Sequence, residues 1–327
     1  MSVTILASRY NTLRDRVNSV LGTSVSATPN FGYGQGTTTN SVIGTRSVAV
    51  PSTADKISAQ QYEDLYIDLI RARSHQVGPS VTIDEFVIGD YETNTATADI
   101  IEEAYILGLE SLATNLVDDR FTVFPDNLTV TNLPSANSSR SAVTTWQTEI
   151  SHIFTITFPT AEDRRHFFNA GGEIRFSASV NYTGSQLKTV DWQTILNAMG
   201  TISFKAEQTV NNAGVGTGSN IGNYDLTSAY QLVYSRTGGA VYANNRYNIY
   251  AAESATGDST SAIVFKVEFV DGVPNNAAFG TDEPVFGTFN SIIQSARPGS
   301  QIAINGTVYP SVIISEDPSA TIVRALS

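Results

Sequence analysis

Strict alternation of apolar and polar residues in the second half of the chain constrains the fold most. Residues 149–158 read EISHIFTITF and residues 173–182 read EIRFSASVNY, so every second side chain falls on one apolar face. Residues 262–269 repeat the same period. Such half-buried strands are typical of antiparallel sheets with one face in water. We therefore predict a β-sandwich-like domain within residues 121–280.

A helical period fills the first third of the chain. Apolar residues follow one another at spacings of four, three, four and three, which is a heptad-like seam on one helix; they are Leu6, Tyr10, Leu13, Val17 and Val20. The seam fits two interpretations, a helix packed on its own domain or a surface for self-association. On the second interpretation, the first four of these residues are candidate interface residues.

Two further helices are predicted before the strands. Ser58 and Gln61 have the spacing of a capping box, and Gly78-Pro79 ends the helix that they begin. A third helix is expected over about 97–117. The expected organisation along the chain is an N-terminal helix (1–29), a glycine-rich arm or linker (30–56), a helical region (57–120), the β-sandwich domain (121–280) and a β-rich tail (281–327).

One short amphipathic helix interrupts the predicted strands. Asp191 is the expected N-cap and Gly200 the expected C-cap. The apolar face between them is formed by Trp192, Ile195, Leu196 and Met199. The predicted fold class is therefore α+β, an N-terminal helical region followed by an antiparallel β-sandwich-like domain with one short packed helix.

Composition excludes several kinds of chemistry. The chain has no cysteine, which excludes disulfides, thiolate nucleophiles and Cys-ligated zinc. Its net charge of −12 argues against a nucleic-acid partner, because a phosphate-binding face must be basic. We also find no signal-peptide pattern and no apolar run of the roughly 18 residues that a membrane span needs. The expectation is a protein made in the cytoplasm without classical export and without a membrane partner.

Few residues qualify for catalysis or metal binding. The three histidines form neither HxxxH nor HxH, and no GxSxG elbow occurs. We interpret His75 as a helix-end residue whose positive ring suits the dipole, and His152 as a hydrogen-bonded core histidine. Acidic pairs such as Asp118-Asp119 suit turns and helix ends better than a glycosidase site. The sequence therefore predicts no catalytic residue, no cofactor and no metal site.

Two loops resemble ligand sites only superficially. Residues 214–222 read GVGTGSNIG, but a dinucleotide fingerprint needs a strand before it and a helix directly after it. A flexible hairpin loop is the better interpretation. Asp271-Gly272 is a weak calcium candidate, since the spacing of an EF-hand is missing.

The stretch FFNAGGEIRF, residues 167–176, and the preceding arginines pose a sharper question. Thr160 and Asp163 have capping-box spacing, which predicts a short helix that the Gly171-Gly172 pair ends before the next strand. This order is the reverse of a phosphate-binding loop, so a buried structural joint is expected. Arg164 and Arg165 remain candidates for contact with a partner.

Tyrosine is concentrated between residues 224 and 250. Tyrosine packs and also forms hydrogen bonds, so it is enriched in interfaces, but it also favours strands. Both interpretations stay open. We take Tyr242 and Tyr247 as candidate contact residues for a protein partner or a glycan.

Six segments together suggest a relationship to known proteins: SRYNTLRDRVNSVLG, FGYGQ, RARSHQVG, RRHFFNAGGEIRF, DWQTILNAMGTI and YQLVYS. They resemble segments of an unclassified group of virion structural proteins in tailed bacteriophages, notably cyanophage-like ones. The resemblance implies a non-enzymatic particle component of the tail, baseplate or neck, made in the host cytoplasm and present in the virion. Its partners would be further copies of itself and other virion proteins. The alternatives are a carbohydrate-binding, receptor-binding or depolymerase-like tail appendage facing a host glycan, and a capsid decoration protein.

Overall fold

The computed structural model contains five α-helices and thirteen strands in the residues that it describes. Those residues are 7–22, 32–35, 45–51, 57–79, 81, 103–141, 146, 148–212, 214–254, 260–273, 284–299, 301–304, 307–310, 312 and 317–326. The helices are α1 (Ala7–Leu21), α2 (Ala59–Val77), α3 (Glu103–Asp118), α4 (Ala161–Asn169) and α5 (Leu187–Met199). The strands are β1 (Leu128–Asn132), β2 (Ala136–Arg140), β3 (Glu149–Thr157), β4 (Glu173–Asn181), β5 (Ile202–Phe204), β6 (Thr209–Asn211), β7 (Gln231–Thr237), β8 (Arg246–Glu253), β9 (Ala262–Val270), β10 (Gly287–Pro298), β11 (Gln301–Ile304), β12 (Thr307–Pro310) and β13 (Ser319–Leu326).

The chain divides into two compact units, which we call the helical unit and the sheet unit. The helical unit comprises residues 1–129, 165–171 and 297–315. The sheet unit comprises residues 130–164, 172–296 and 316–327. The α+β class and the β-sandwich-like sheets predicted from the sequence are thereby confirmed. The residues after 281, which we predicted as a separate β-rich tail, are divided between the two units.

The helical unit is built from α1, α2 and α3. The α1 seam is buried among these helices, with Tyr10, Leu13, Val17 and Val20 all at most 3 % exposed. The Tyr10 hydroxyl donates to the Gln61 carbonyl at 2.9 Å, which ties α1 to α2. The seam therefore packs within its own unit, as the first of the two interpretations holds. Leu6 lies outside the described residues.

The start and the end of α2 follow the sequence signals. The Gln61 amide donates to the Ser58 hydroxyl, and the Gln61 side chain accepts from the Ser58 amide, so the predicted capping box is present. Gly78 follows the last turn with φ +91°, and its amide donates to the Ser74 carbonyl. The third helix is described from Glu103, and the predicted residues before it lie outside the described range.

Two antiparallel sheets supply the framework of the sheet unit. One runs β13-β3-β9-β8-β7, and the other runs β1-β10-β4-β5-β6 with β2 also paired to β10. Aromatic rings from the two sheets meet between them: Phe176 of β4 and Phe204 of β5 lie 4.9 Å and 5.1 Å from Phe265 of β9. These inward residues are the apolar positions of the alternating pattern, so the period of two places the core correctly.

Helix α5 packs its apolar side into the same core, but its predicted start was wrong. The helix begins at Leu187, with Gln186 at the N-cap position. Asp191 lies inside the helix, and its Oδ1 accepts from the Gly239 amide at 3.2 Å. A tertiary contact thus uses the carboxylate that we expected to cap the helix. Gly200 does follow the last turn, with φ +65°.

Candidate interaction surface

The outward face of the five-stranded sheet carries a cluster of aromatic and aliphatic side chains. Along β9, Phe265 and Val267 face the core, so Lys266 between them faces outward. Lys266 pairs with Tyr250 on β8, and Tyr250 pairs with Leu232 on β7. Tyr230 and Leu232 are 43 % and 44 % exposed. We call Tyr230, Leu232, Tyr250 and Lys266 the outer-face cluster.

Lys266 organises this cluster. Its Nζ lies 5.1 Å from the Tyr230 ring centroid and 4.8 Å from that of Tyr250, which is cation–π geometry with both rings. The same ammonium forms an ion pair with Glu268, its neighbour along the outward face. The Lys266 ammonium therefore contacts both tyrosine rings while the Glu268 carboxylate neutralises its charge.

The electrostatics of the cluster agree with this arrangement. Burial alone would lower the pKa of Lys266, but the hydrogen bond and charge of Glu268 outweigh burial and raise it. Burial raises the pKa of Tyr250, and the nearby Glu268 adds to that shift. Lys266 thus stays charged and Tyr250 stays neutral over the physiological range. The surface offers rings and one leucine around a compensated ion pair.

A β-bulge explains why Leu232 was missed from the sequence. The register shifts between Leu232 and Tyr234, so these two residues lie on opposite faces. Strict alternation would have put both on one face. Tyr230 lies within the tyrosine-rich stretch, but no pattern in that stretch distinguishes it from the buried tyrosines of the group.

The predicted interface residues lie mostly in buried positions. Tyr10, Leu13 and Val17 are in the core of the helical unit, and Tyr242 and Tyr247 are 7 % and 0 % exposed in the sheet unit. Their role toward a partner stays a prediction, and it would require buried side chains to become accessible.

Arg164 is a structural residue of the sheet unit. Its Nη2 lies 2.9 Å from Glu253 Oε1, and side-chain exposures of 4 % and 3 % make this a buried ion pair. Its Nε donates to Asn223 at 2.7 Å, and its Nη1 donates to Thr260 at 2.9 Å. Arg165 is half-buried. The two arginines that the sequence paired as one contact surface therefore have different environments.

The predicted joint that contains FFNAGGEIRF is confirmed. Helix α4 is capped by Thr160, whose hydroxyl accepts from the Asp163 amide at 3.1 Å. Phe167 and Phe168 are fully buried, and Gly171 has φ +87° ahead of β4. The order is helix, glycine, strand, as the sequence predicted.

His75 and His152 are both buried. His152 lies in the sheet unit, where Ser138 and Ser291 stand 3.0 Å and 2.9 Å from its two ring nitrogens, and it is the hydrogen-bonded core histidine that we expected. His75 lies in the helical unit, with Nε2 2.7 Å from the Ala170 carbonyl. Burial lowers the pKa of His75 to about 4. The expectation of a positive ring at the helix end was therefore wrong, because desolvation outweighs the dipole.

The calcium candidate at Asp271 and the glycine-rich loop 214–222 also form contacts within the fold. Asp271 accepts from the buried Lys188 ammonium at 3.0 Å, so the weak calcium candidate is one half of an internal ion pair. Residues 214–222 bridge to strands: Thr217 exchanges hydrogen bonds with Ser235 of β7, and Ser219 does so with Thr209. The helical turn that follows them is a 3-10 helix of three residues, Asn223–Asp225, and not the α-helix that a dinucleotide fingerprint needs. Among the described residues, no group of three His, Asp or Glu side chains is placed to hold a metal ion.

In comparisons with known proteins, the chain matches no protein-family model, and neither a curated protein nor a solved structure is significantly similar to it. Among the helices in the described ranges, none has the length and apolar character to cross a membrane.

Proposed function

We propose that this chain is a non-enzymatic structural component of a bacteriophage virion, in the tail, baseplate or neck, that self-associates and docks onto other virion proteins. The outer-face cluster is the observation that carries the proposal. Interface cores are enriched in tyrosine and depleted of charged residues. Tyr230 and Tyr250 supply the aromatic part on the outward sheet face, and the charge of Lys266 between them is neutralised by Glu268.

A second copy of the chain is the occupant that this surface suits best. A sheet face that pairs with its own copy about a two-fold axis needs a surface that complements itself. Rings, one aliphatic side chain and a neutralised ion pair meet that condition, whereas an uncompensated lysine would repel its copy. Sheet faces also pack well on one another, at a separation of about 10 Å.

The buried ionisable side chains of the sheet unit also support a structural role. Arg164 with Glu253 and Lys188 with Asp271 are ion pairs inside the sheet unit. His152 is hydrogen-bonded in its core. We infer that these buried ionic groups favour one arrangement of this fold over alternatives, which suits a building block.

The test is the location of the protein in particles. Particles purified from a lysate of infected cells should contain the chain in a fixed copy number, visible by peptide mass spectrometry and by antibody labelling in electron micrographs. Label at the tail, baseplate or neck would support the proposal, and label on the head would instead favour the capsid decoration alternative. Absence from purified particles would refute a virion role.

A further inference from the structure

One buried ion pair of the sheet unit joins two elements that are far apart in the sequence. Lys188 lies in the first turn of α5, and Asp271 directly follows the last residue of β9. The Lys188 Nζ lies 3.0 Å from the Asp271 Oδ2, and the two side chains are 0 % and 2 % exposed. An amine and a carboxyl group that touch each other out of water are the two reactants of an amide bond.

The backbone of Val273 holds both of these groups. Its amide donates to the Asp271 Oδ1 at 3.3 Å, and its carbonyl accepts from the Lys188 ammonium at 3.5 Å. The carboxyl group therefore presents Oδ2 to the amine while a backbone N–H holds Oδ1. A donor in this position stabilises the negative charge that develops on a carboxyl oxygen when a nucleophile adds to the carbon.

The surroundings of the pair are apolar. Trp192, one turn along α5 from Lys188, is fully buried and packs on Phe269 of β9. Two charges in such surroundings carry a large desolvation cost. Burial raises the pKa of Asp271, although Lys188 and the Val273 amide oppose that shift. Transfer of one proton from the ammonium to the carboxylate removes both charges and leaves a free amine, which is a nucleophile.

We propose that Lys188 and Asp271 condense to an isopeptide bond that joins α5 to the end of β9. The Nζ attacks Cγ and forms the Nζ–Cγ bond, and Oδ1 takes the negative charge beside the Val273 amide. The Cγ–Oδ2 bond then breaks, and Oδ2 leaves as water with two of the three protons of the original ammonium. The reaction consumes nothing besides these two side chains. This inference goes beyond the structural role proposed above and does not depend on it.

The fold favours both the rate and the product of this reaction. Groups that are held in contact react as if their concentration were about 10⁵–10⁸ M. Condensation also exchanges a buried ion pair for a neutral amide and releases a water molecule. The oxygen of the new amide stays beside the Val273 N–H, and its N–H stays beside the Val273 carbonyl. The polar atoms of the product therefore have hydrogen-bond partners in place.

Two other lysine–carboxylate pairs are internal controls. Lys205 lies 3.0 Å from Glu173, but the lysine side chain is 36 % exposed. Burial alone would raise the pKa of Glu173, but the charges of Lys205 and Arg175 lower it. Lys266 is 25 % exposed in its pair with Glu268. We expect both pairs to stay ionic, because water reaches each lysine.

Mass spectrometry of the purified, denatured chain tests for the bond. The main wild-type species should be lighter than the mass of its sequence by one water molecule. Trypsin should leave the chain uncleaved after Lys188, and the peptide that contains Lys188 should be covalently joined to the peptide that begins at Val267 and contains Asp271. Lys205→Arg is the matched control, and it should keep both the mass deficit and the joined peptides.

The double substitution Lys188→Met with Asp271→Leu removes both reactants and replaces a buried ion pair with apolar residues, an exchange that folds often tolerate. It should retain the wild-type circular dichroism spectrum and have the full mass of its sequence. An Asp-Gly pair such as Asp271-Gly272 can also lose water by forming a succinimide, but trypsin then still cleaves after Lys188. A wild type with full mass, or with a deficit but no joined peptides, overturns the proposal. The wild-type result stands whether or not the double variant folds.

Discussion

At the scale of the residue, several charged side chains and two histidines are buried with polar partners. Arg164 and Lys188 each pair with a carboxylate inside the sheet unit. Glu173 is held by Arg175, Lys205 and Ser203. Burial alone would raise the pKa of Glu173, but the charges of Lys205 and Arg175 outweigh burial and lower it. Substitutions at these positions should therefore act on folding before they act on function.

His75 gives the chain a defined dependence on pH. Its pKa is about 4 in the folded protein and 6.5 without burial, so the folded state binds fewer protons between these values. Stability from the neutral ring is complete above pH 6.5 and is lost as the pH falls through that window. From pH 7 to pH 5 the wild type should lose about 2 kcal/mol more free energy of unfolding than His75→Gln. Urea denaturation at both pH values measures the difference, and equal losses would show that His75 is not kept neutral.

Arg164→Ala should destabilise the protein by about 3–5 kcal/mol, because it leaves the Glu253 carboxylate buried without its partner. The double substitution Arg164→Met with Glu253→Leu removes both charges and should regain most of that loss. Thermal unfolding compares the two variants. If Arg164→Ala alone has a wild-type midpoint, the ion pair is not formed as the structure shows.

At the scale of the element, local signals in the sequence specified most boundaries. The Ser58 capping box and Gly78 bounded α2, and the Thr160 cap with Gly171 bounded the joint before β4. These signals work because they satisfy backbone groups within a few residues. Asp191 shows the limit of such signals. Its carboxylate accepts from Gly239, 48 residues further along the chain, and no local pattern reveals a bond of that range.

Gly171→Ala tests the joint. The residue has φ +87°, and an added Cβ would lie 2.7 Å from the Val123 side chain. We expect a loss of about 1–3 kcal/mol from the backbone conformation alone. Gly239→Ala is the matched control, since φ there is −105° and the nearest atom to an added Cβ is 3.5 Å away. Thermal unfolding measures the midpoint of both variants. A wild-type midpoint for Gly171→Ala would contradict the described turn.

At the scale of the whole molecule, periodicity predicted the fold class but not the organisation of the chain. Alternation identified β3, β4 and β9 and their inward residues, because the period of two is a property of the strand itself. It could not predict that the tail beyond residue 281 would contribute β10 to one sheet and β13 to the other. Pairing between distant segments depends on the complete set of strands.

The candidate surface was less accessible to sequence reasoning than the fold. The tyrosine-rich stretch was recognised, but the members chosen, Tyr242 and Tyr247, are buried. The bulge in β7 separates Leu232 and Tyr234 onto opposite faces, and Lys266, two strands away in the sheet, contacts the Tyr230 ring. Such a surface is formed by several paired strands, so no single segment of the sequence reveals it.

Self-association through the outer-face cluster is the central claim at this scale. Replacing Tyr230 and Leu232 together with glutamate places two charges among the rings and should prevent association without unfolding the chain, because both side chains are exposed. Leu187→Glu is the control, since Leu187 is 60 % exposed and belongs to α5, not to the five-stranded sheet.

Native mass spectrometry of the three proteins at micromolar concentration is the most direct test. We predict an oligomer for the wild type and for Leu187→Glu, and a folded monomer for the double glutamate variant. A monomeric wild type, or an oligomer that persists unchanged in the double variant, would contradict the account.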